Sequence, residues 1–152
     1  MESTIACDRE ALELLARSVA NNHQLYPELV LAICEQESSW NPWALRFEPE
    51  FERRYIHPAL PNAPSTAELT LPISWGLMQV MGQVAREHGF KGTFLAELCD
   101  PAVGLEIGCR VLAAKLAAAD GNVTKALLLW NGGSSAGYPQ QVLVRAARYT
   151  SG

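Results

Sequence analysis

The chain lacks the excess of basic residues that marks nucleic-acid-binding proteins. Lysine and arginine number 12 against 16 aspartates and glutamates, which gives a net charge of −4 and argues against a nucleic-acid partner. Charged residues make up 18% of the sequence and hydrophobic residues 49%, a balance typical of globular rather than disordered proteins. The length of 152 residues predicts a single domain, residues 1–152, with one core.

Membrane and metal signals are missing as well. No apolar stretch approaches the length of a membrane span, and residues 1–4 carry neither the basic nor the apolar region of a signal peptide. The four cysteines form no CxxC pair and have no accompanying histidine pattern, so we expect no metal site. They could form two disulfides, whose pairing the sequence does not fix. Cys34 and Cys109 stand among apolar residues and are predicted to be buried.

Capping residues and prolines predict most helix boundaries. Asp8 and Asp100 are typical N-caps, and Pro27 and Pro139 suit the first turn of a helix. Together with apolar residues at helical spacing, these signals predict helices over residues 9–22, 27–38, 75–88, 101–119, 123–130 and 139–149.

Residues 44–73 interrupt this pattern with five prolines. Loops of this length in a compact domain are usually functional, and short helices are predicted near residues 49–54 and 65–69. We therefore predict an all-α fold, α+β at most, in which a long irregular or small β-like flap at about residues 44–73 borders a groove.

Glu37 ends the most apolar of the predicted helices. Residues 29–34 are continuously apolar, and burial against such groups favours the neutral form of a carboxyl group and raises its pKa. Glu37 is therefore a candidate general acid. The alternative is a surface glutamate at a helix end, like its neighbour Glu35.

Three short segments follow one another along the chain: Glu37-Ser38, then Ser74-Trp75-Gly76-Leu77-Met78-Gln79, then Trp130-Asn131-Gly132-Gly133. Their order and spacing resemble those of the lytic transglycosylases with an SLT domain and of the goose-type lysozymes, over residues 29–149. The resemblance implies a lysozyme-like fold and an enzyme that cleaves the glycan strands of bacterial peptidoglycan with no metal or organic cofactor.

The same resemblance assigns roles to individual residues. It implies that Glu37 is the catalytic acid, that Ser74 contacts the substrate, and that Tyr138 directs its hydroxyl at Glu37. Ser38 is expected to support the site rather than react, because no Ser-His-Asp arrangement stands out. Tyr149 is the rival tyrosine and is interpreted as a packing residue.

Residues 74–79 are expected to form one wall of the groove. Gly76 would let a sugar ring approach the backbone, Gln79 would hydrogen-bond hydroxyl or acetamido groups, and Met78 would adapt to an apolar sugar face. Trp75 offers a flat surface for a sugar and is equally compatible with a place in the core.

The third segment departs from the family pattern at two positions. Trp130 replaces the usual tyrosine and Gly132 the usual alanine, so a stacking role at position 130 survives and a hydroxyl-dependent role does not. Asn131 is expected to hold the turn or to touch the sugar, and a plain helix C-cap is the alternative.

The number of carboxylates that take part in catalysis distinguishes hydrolysis from the transglycosylase reaction. Ordinary glycosidases use two, and the candidates for a second one are Glu48, Glu50 and Glu52. The sequence has no aspartate between Asp8 and Asp100, in the stretch where goose-type enzymes use aspartates. This favours a lytic transglycosylase in which one glutamate acts as acid and then as base, leaving 1,6-anhydro-muramic acid ends. A goose-type hydrolase on the same scaffold and a non-catalytic wall-binding domain are the alternatives.

The expected partner is the glycan strand of peptidoglycan, bound by a monomer. The expected place of action is the cell wall, reached in the periplasm, outside the cell or by phage delivery, since no signal peptide is expected.

Overall fold

Helices make up most of the chain that the structure describes. This structure, a computed structural model, describes residues 8–59 and 64–150. Its α-helices there are α1 (Arg9–Asn22), α2 (Pro27–Ser38), α3 (Pro49–Phe51), α4 (Thr66–Leu69), α5 (Gly82–Glu87), α6 (Pro101–Ala118), α7 (Val123–Trp130) and α8 (Tyr138–Thr150). A small antiparallel sheet contains the strands β1 (Leu45–Phe47), β2 (Ile73–Trp75) and β3 (Val80–Met81), in that order. The predicted helical fold with a small β-like flap is confirmed.

The predicted caps begin the helices. The Asp8 carboxylate accepts a hydrogen bond from the backbone N–H of Glu10 at 3.2 Å, and Asp100 accepts from two N–H groups in the first turn of α6. Pro27 and Pro101 occupy first-turn positions of α2 and α6. A helix N-terminus leaves backbone N–H groups without partners, so acceptor side chains and prolines there fix where each helix starts.

Helix α2 lies at the centre of the core. All residues from Leu29 to Cys34 are buried, and α2 packs against α1 on one side and α8 on another. A helix that is apolar all round must be covered all round. The C-terminal turn of α2, which carries Glu37, is therefore part of a helix held between α1 and α8.

The flap extends from residue 44, just before β1, to the end of β2 at residue 75. In β1 and β2, Arg46 pairs with Ser74, and in β2 and β3, Ser74 pairs with Met81. The short helix α3 continues into a π-helix over Glu52–Ile56 and a 3₁₀ turn over His57–Ala59. Ser65 caps α4 in a capping box with Glu68. The predicted short helices are thus present, and residues 60–63 of the predicted flap lie outside the described residues.

The helix predicted over residues 75–88 is wrong in its first half. Trp75 ends β2, residues 76–79 form a turn, and only the segment from Gly82 to Glu87 is helical. Gly76 has φ of +73° and Gln79 φ of +51°, and two left-handed positions three residues apart cannot belong to an α-helix. The apolar residues that suggested a helix, Leu77 and Val80, are buried in the turn and in β3 instead.

The cysteines behave as buried apolar residues where the structure describes them. Cys34, Cys99 and Cys109 are free thiols, and the predicted burial of Cys34 and Cys109 is confirmed, since both are 0% exposed. Burial raises the pKa of Cys109 to about 12. Cys7 lies outside the described residues. Among helices within residues 8–59 and 64–150, none is both long and apolar enough to cross a membrane.

Candidate active site

Glu37 lies half-buried on the last turn of α2, where α7 and α8 meet it. The Tyr138 hydroxyl donates a hydrogen bond of 2.5 Å to Oε1 of Glu37. The indole Nε1 of Trp130 donates to the same oxygen at 3.4 Å. No hydrogen bond to Oε2 occurs among the residues that the structure describes. One carboxyl oxygen of Glu37 is therefore anchored, and the other is left to carry a proton.

The surroundings of Glu37 raise its pKa. Burial away from water is the largest cause, and the negative charge of Glu48 acts in the same direction. The hydrogen bond from Tyr138, the positive charge of Arg46 and the hydrogen bond from Trp130 oppose it. Burial prevails because the ionised form loses more hydration than its few donors replace. Glu37 thus keeps its proton to a higher pH than an ordinary glutamate does.

Tyr138 begins α8 and is 6% exposed. Burial is the main cause that raises the pKa of its phenol, and the charge of Glu37 and the hydrogen bond to it add to the effect. The phenol therefore stays protonated and remains a donor to Glu37. The structure brings together the pair that the sequence placed 101 residues apart.

Tyr149, the rival tyrosine, lies elsewhere. Its hydroxyl accepts hydrogen bonds from Nε1 of Trp40 and from Nη2 of Arg9, each at 3.1 Å. Those partners belong to α1 and to the loop after α2, so Tyr149 ties together the ends of three elements of the scaffold. No contact of its hydroxyl with Glu37 occurs within the described part of the chain.

Ser38 connects α2 to the turn at residues 76–79. Its Oγ lies 2.9 Å from the Cys34 carbonyl and 2.8 Å from the Leu77 carbonyl, so its single proton is shared between two acceptors. A hydroxyl held in this way has no base to activate it. The serine ties the turn to the helix that carries Glu37.

The turn itself is fastened to the start of the flap. The Gly76 N–H donates to the Ala44 carbonyl at 2.9 Å. The Gln79 amide donates to the Ala44 and Gly76 carbonyls at 2.8 and 3.0 Å. A Cβ on Gly76 would stand 2.5 Å from the Leu98 carbonyl oxygen. Gly76 and the Gln79 amide nitrogen are thus used in holding the turn together.

Trp75 and Met78 face inward. Trp75 is 7% exposed and Met78 1%, and Met78 packs so closely on α6 that a Cβ on Gly108 would collide with its sulfur. These two side chains therefore expose almost no surface for the sugar contacts that were predicted for them. Both side chains belong to the core that supports the turn.

Ser74, Arg46 and Glu48 form a hydrogen-bonded cluster on the flap. Oε1 of Glu48 accepts from Nε of Arg46 at 2.7 Å and from Oγ of Ser74 at 3.1 Å. By contrast, Glu50 pairs with Arg53 and Glu52 with His57. Nothing in the sequence favoured one of the three glutamates as a second carboxylate. The structure distinguishes Glu48, because among the described residues it alone of the three bonds to both Arg46 and Ser74. No local pattern could have singled it out, because β1 contains only three residues and Glu48 lies just beyond its end.

The segment at residues 130–133 closes α7 and lines the approach to α8. Asn131 is the C-cap of α7. Its Nδ2 donates to the Ser135 carbonyl at 3.1 Å, and its Oδ1 accepts from Oγ of Ser134 at 2.9 Å. Gly132 and Gly133 both have positive φ. Asn131 is therefore placed to hold the turn that leads into Tyr138.

The chain is similar to proteins of one enzyme family. The sequence model of the transglycosylase SLT domain matches residues 15–142. A solved structure of lytic transglycosylase Slt from Pseudomonas aeruginosa, an inactive mutant in which glutamine replaces a glutamate, has the same fold with a TM-score of 0.56. The similarity has 18% sequence identity and covers 93% of this chain but 21% of that one, so this chain spans about a fifth of that protein's length. No curated protein sequence matches it.

Proposed function

The chain belongs to the transglycosylase SLT domain family, and from that premise we propose that it is a peptidoglycan lytic transglycosylase. It cleaves the β-1,4 bond between N-acetylmuramic acid and N-acetylglucosamine and leaves a 1,6-anhydro end on the muramic acid. The observation that carries this proposal is the Glu37 carboxyl group. Burial raises its pKa, and Tyr138 and Trp130 both donate to its Oε1.

The first step is proton donation by Glu37. The protonated carboxyl group gives its proton to the bridging oxygen as the bond from that oxygen to C1 of the muramic acid breaks, and the bonding electrons stay with the oxygen. A carboxyl group that holds its proton near neutral pH can do this. The Tyr138 hydroxyl donates to Oε1 throughout, which stabilises the carboxylate that the step creates.

In the second step, Glu37 acts as a base. Its carboxylate removes the proton from the C6 hydroxyl of the same muramic acid while the C6 oxygen bonds to the positively charged C1. The proton returns to Glu37, and no water is consumed. The inactive glutamate-to-glutamine mutant of the Slt enzyme is consistent with dependence on one glutamate.

A hydrolase on the same scaffold is the second candidate, favoured by one observation. The negative charge of Glu48 acts on Glu37, and a second carboxylate could position an attacking water. The wall-binding alternative is disfavoured, because a pure binding domain has no use for a carboxyl group of raised pKa. In each case the domain acts at the bacterial cell wall. We propose that it acts as a monomer with one catalytic domain.

Replacement of Glu37 tests the proposal. Glu37→Gln keeps the shape but cannot donate a proton, so release of soluble fragments from purified peptidoglycan should fall by about 10²–10⁴-fold or more. Glu50→Gln is the matched control, because Glu50 is exposed and pairs only with Arg53 among the described residues. Residual activity of Glu37→Gln above about a tenth of wild type, with an unchanged circular dichroism spectrum, would remove Glu37 from the proposed role.

A further inference from the structure

Glu48 is held in place from several directions. Its backbone N–H donates to the Pro72 carbonyl at 2.8 Å. Its Oε1 receives Arg46 at 2.7 Å and Ser74 at 3.1 Å, while no hydrogen bond to its Oε2 occurs within the described residues. Ser74 is 3% exposed, so one donor to this carboxylate is itself fixed in the core. An exposed ion pair alone contributes little, whereas this one is also tied to a buried hydroxyl.

The cluster of Arg46, Glu48 and Ser74 is also fixed relative to Glu37. Ser74 lies two residues before the turn, and the turn is joined to the residue after Glu37 by the contact between Ser38 and the Leu77 carbonyl. The beginning of β1 is joined to the same turn through the Ala44 carbonyl. Hydrogen bonds therefore connect the flap, the turn at residues 76–79 and the end of α2.

Each charge of the cluster acts on Glu37 in its own direction. Glu48 raises the pKa of Glu37 and Arg46 lowers it. Tyr138 from α8, Trp130 from α7 and the Cys34 thiol on α2 also interact with Glu37. Of these five groups in the described part of the chain, Arg46 and Glu48 are the two that carry a formal charge.

We infer that Glu48 is a positioning residue of the active site, which orients Arg46 and Ser74 on the flap and balances the charge around Glu37. This inference rests on the proposed function, because the balance matters for a group that must be an acid and then a base. Glu48 favours the protonated state that Glu37 needs before bond cleavage. Arg46 favours the ionised state that Glu37 needs afterwards, so the pair keeps both states accessible at one pH.

Two substitutions of opposite sign separate this role from a merely structural one. In Glu48→Gln the like charge is gone and Arg46 is unopposed, so the pKa of Glu37 falls. The rate depends on protonated Glu37, hence the alkaline limb of the pH–rate profile should move to lower pH. In Arg46→Gln the opposing charge is lost, and the same limb should move to higher pH. Both shifts should exceed the difference between wild type and Glu50→Gln.

The size of the rate change is the second readout. Glutamine at position 48 keeps an acceptor oxygen but loses the charge, so the maximal rate should fall about tenfold, much less than in Glu37→Gln. Limbs that coincide with the control, or that move in the same direction in both variants, would overturn the inference. A loss in Glu48→Gln equal to that of Glu37→Gln would also overturn it, because Glu48 would then be a reacting carboxylate.

A titration without substrate distinguishes this inference from the proposed function. The carboxyl carbon of Glu37 can be followed by NMR in protein labelled with ¹³C-glutamate, with Glu37→Gln used to assign the signal. Opposite displacements of its titration in Glu48→Gln and Arg46→Gln would support the positioning role even if wild type released no fragments, and in that case only the proposed function would fail. Unmoved titrations beside an active wild type would overturn the inference alone.

Discussion

At the scale of single residues, the two carboxyl oxygens of Glu37 have different surroundings. Tyr138 and Trp130 both donate to Oε1, so the ring that replaces the family's usual tyrosine still reaches the carboxyl group through its N–H. The anchored oxygen fixes the orientation of the other one. In the proposed mechanism, a carboxyl group with one oxygen held, and with no hydrogen bond to the other from the described residues, is preorganised for proton transfer in one direction.

The Tyr138 hydroxyl should matter more for turnover than for stability. Tyr138→Phe keeps the buried ring and deletes one hydrogen bond to a group that becomes charged, worth about 1.5–3 kcal/mol. Because this bond becomes stronger when Glu37 acquires charge in the transition state, the cleavage rate should fall roughly ten- to a hundred-fold. Steady-state release of fragments from peptidoglycan measures it.

Tyr149→Phe is the matched control for that experiment. The Tyr149 hydroxyl bonds to Trp40 and Arg9, so its loss should lower the melting temperature slightly and leave the cleavage rate near wild type. A damaged Tyr149→Phe beside a silent Tyr138→Phe would show that the wrong tyrosine has been assigned to the site.

Glu37 should also make stability depend on pH in a particular sense. Its folded-state pKa is raised by burial, so the stability it contributes is fully present below its ordinary pKa and is lost as the pH rises through the raised one. Glu37→Gln cannot ionise. The melting temperature of the variant minus that of wild type should therefore increase from about pH 4 to pH 7. Each kcal/mol of difference in the free energy of unfolding corresponds to about 2–4 °C.

Thermal unfolding followed by circular dichroism at both pH values tests this expectation. The quantity that matters is the change in the difference between the two proteins, because the lost hydrogen bonds of the substitution affect both pH values. A difference that stays constant from pH 4 to pH 7 would mean that the Glu37 carboxyl group is not perturbed by burial.

At the scale of elements, the turn at residues 76–79 joins α2, the flap and the segment before α6. Gly76 has φ of +73° and stands against the Leu98 carbonyl, whereas Gly132 has φ of +66° with nothing within 4 Å of where a Cβ would lie. Gly132→Ala should therefore cost only the left-handed backbone strain, about 1–2 kcal/mol. Gly76→Ala adds a steric clash with backbone and should cost about 3 kcal/mol or more.

Chemical denaturation of the two glycine variants compares these costs directly. The account of the turn requires Gly76→Ala to be the less stable variant by a clear margin. Equal loss of stability in the two would show that the Leu98 carbonyl can move away, and that the turn is less tightly held than its hydrogen bonds indicate.

Element boundaries could be predicted from the sequence wherever a local side chain decides them. Asp8, Pro27 and Asp100 act within one turn of their own position, so the helices they begin were predicted correctly. The strands β2 and β3 contain three and two residues, too few for an alternating pattern to be recognised. Their pairing with each other and with β1 depends on contacts made across the flap.

At the scale of the whole molecule, the contacts that decide each side chain's role are distant in sequence. Glu37 and Tyr138 could be placed together because the order of segments resembled a family with that pairing. The burial of Met78 depends on Gly108, a residue without a side chain on α6, and no pattern around Met78 indicates it. The selection of Glu48 likewise depends on Ser74, 26 residues later.

The central claim is that one glutamate acts first as acid and then as base, so that the sugar's own hydroxyl replaces water. Mass spectrometry of the fragments that the wild-type protein releases from purified peptidoglycan tests it most directly. The account predicts muropeptides that end in 1,6-anhydro-muramic acid, each lighter by one water than the hydrolysis product and resistant to borohydride reduction. Fragments with reducing muramic acid ends would contradict it and would assign the Glu37 site to a hydrolase.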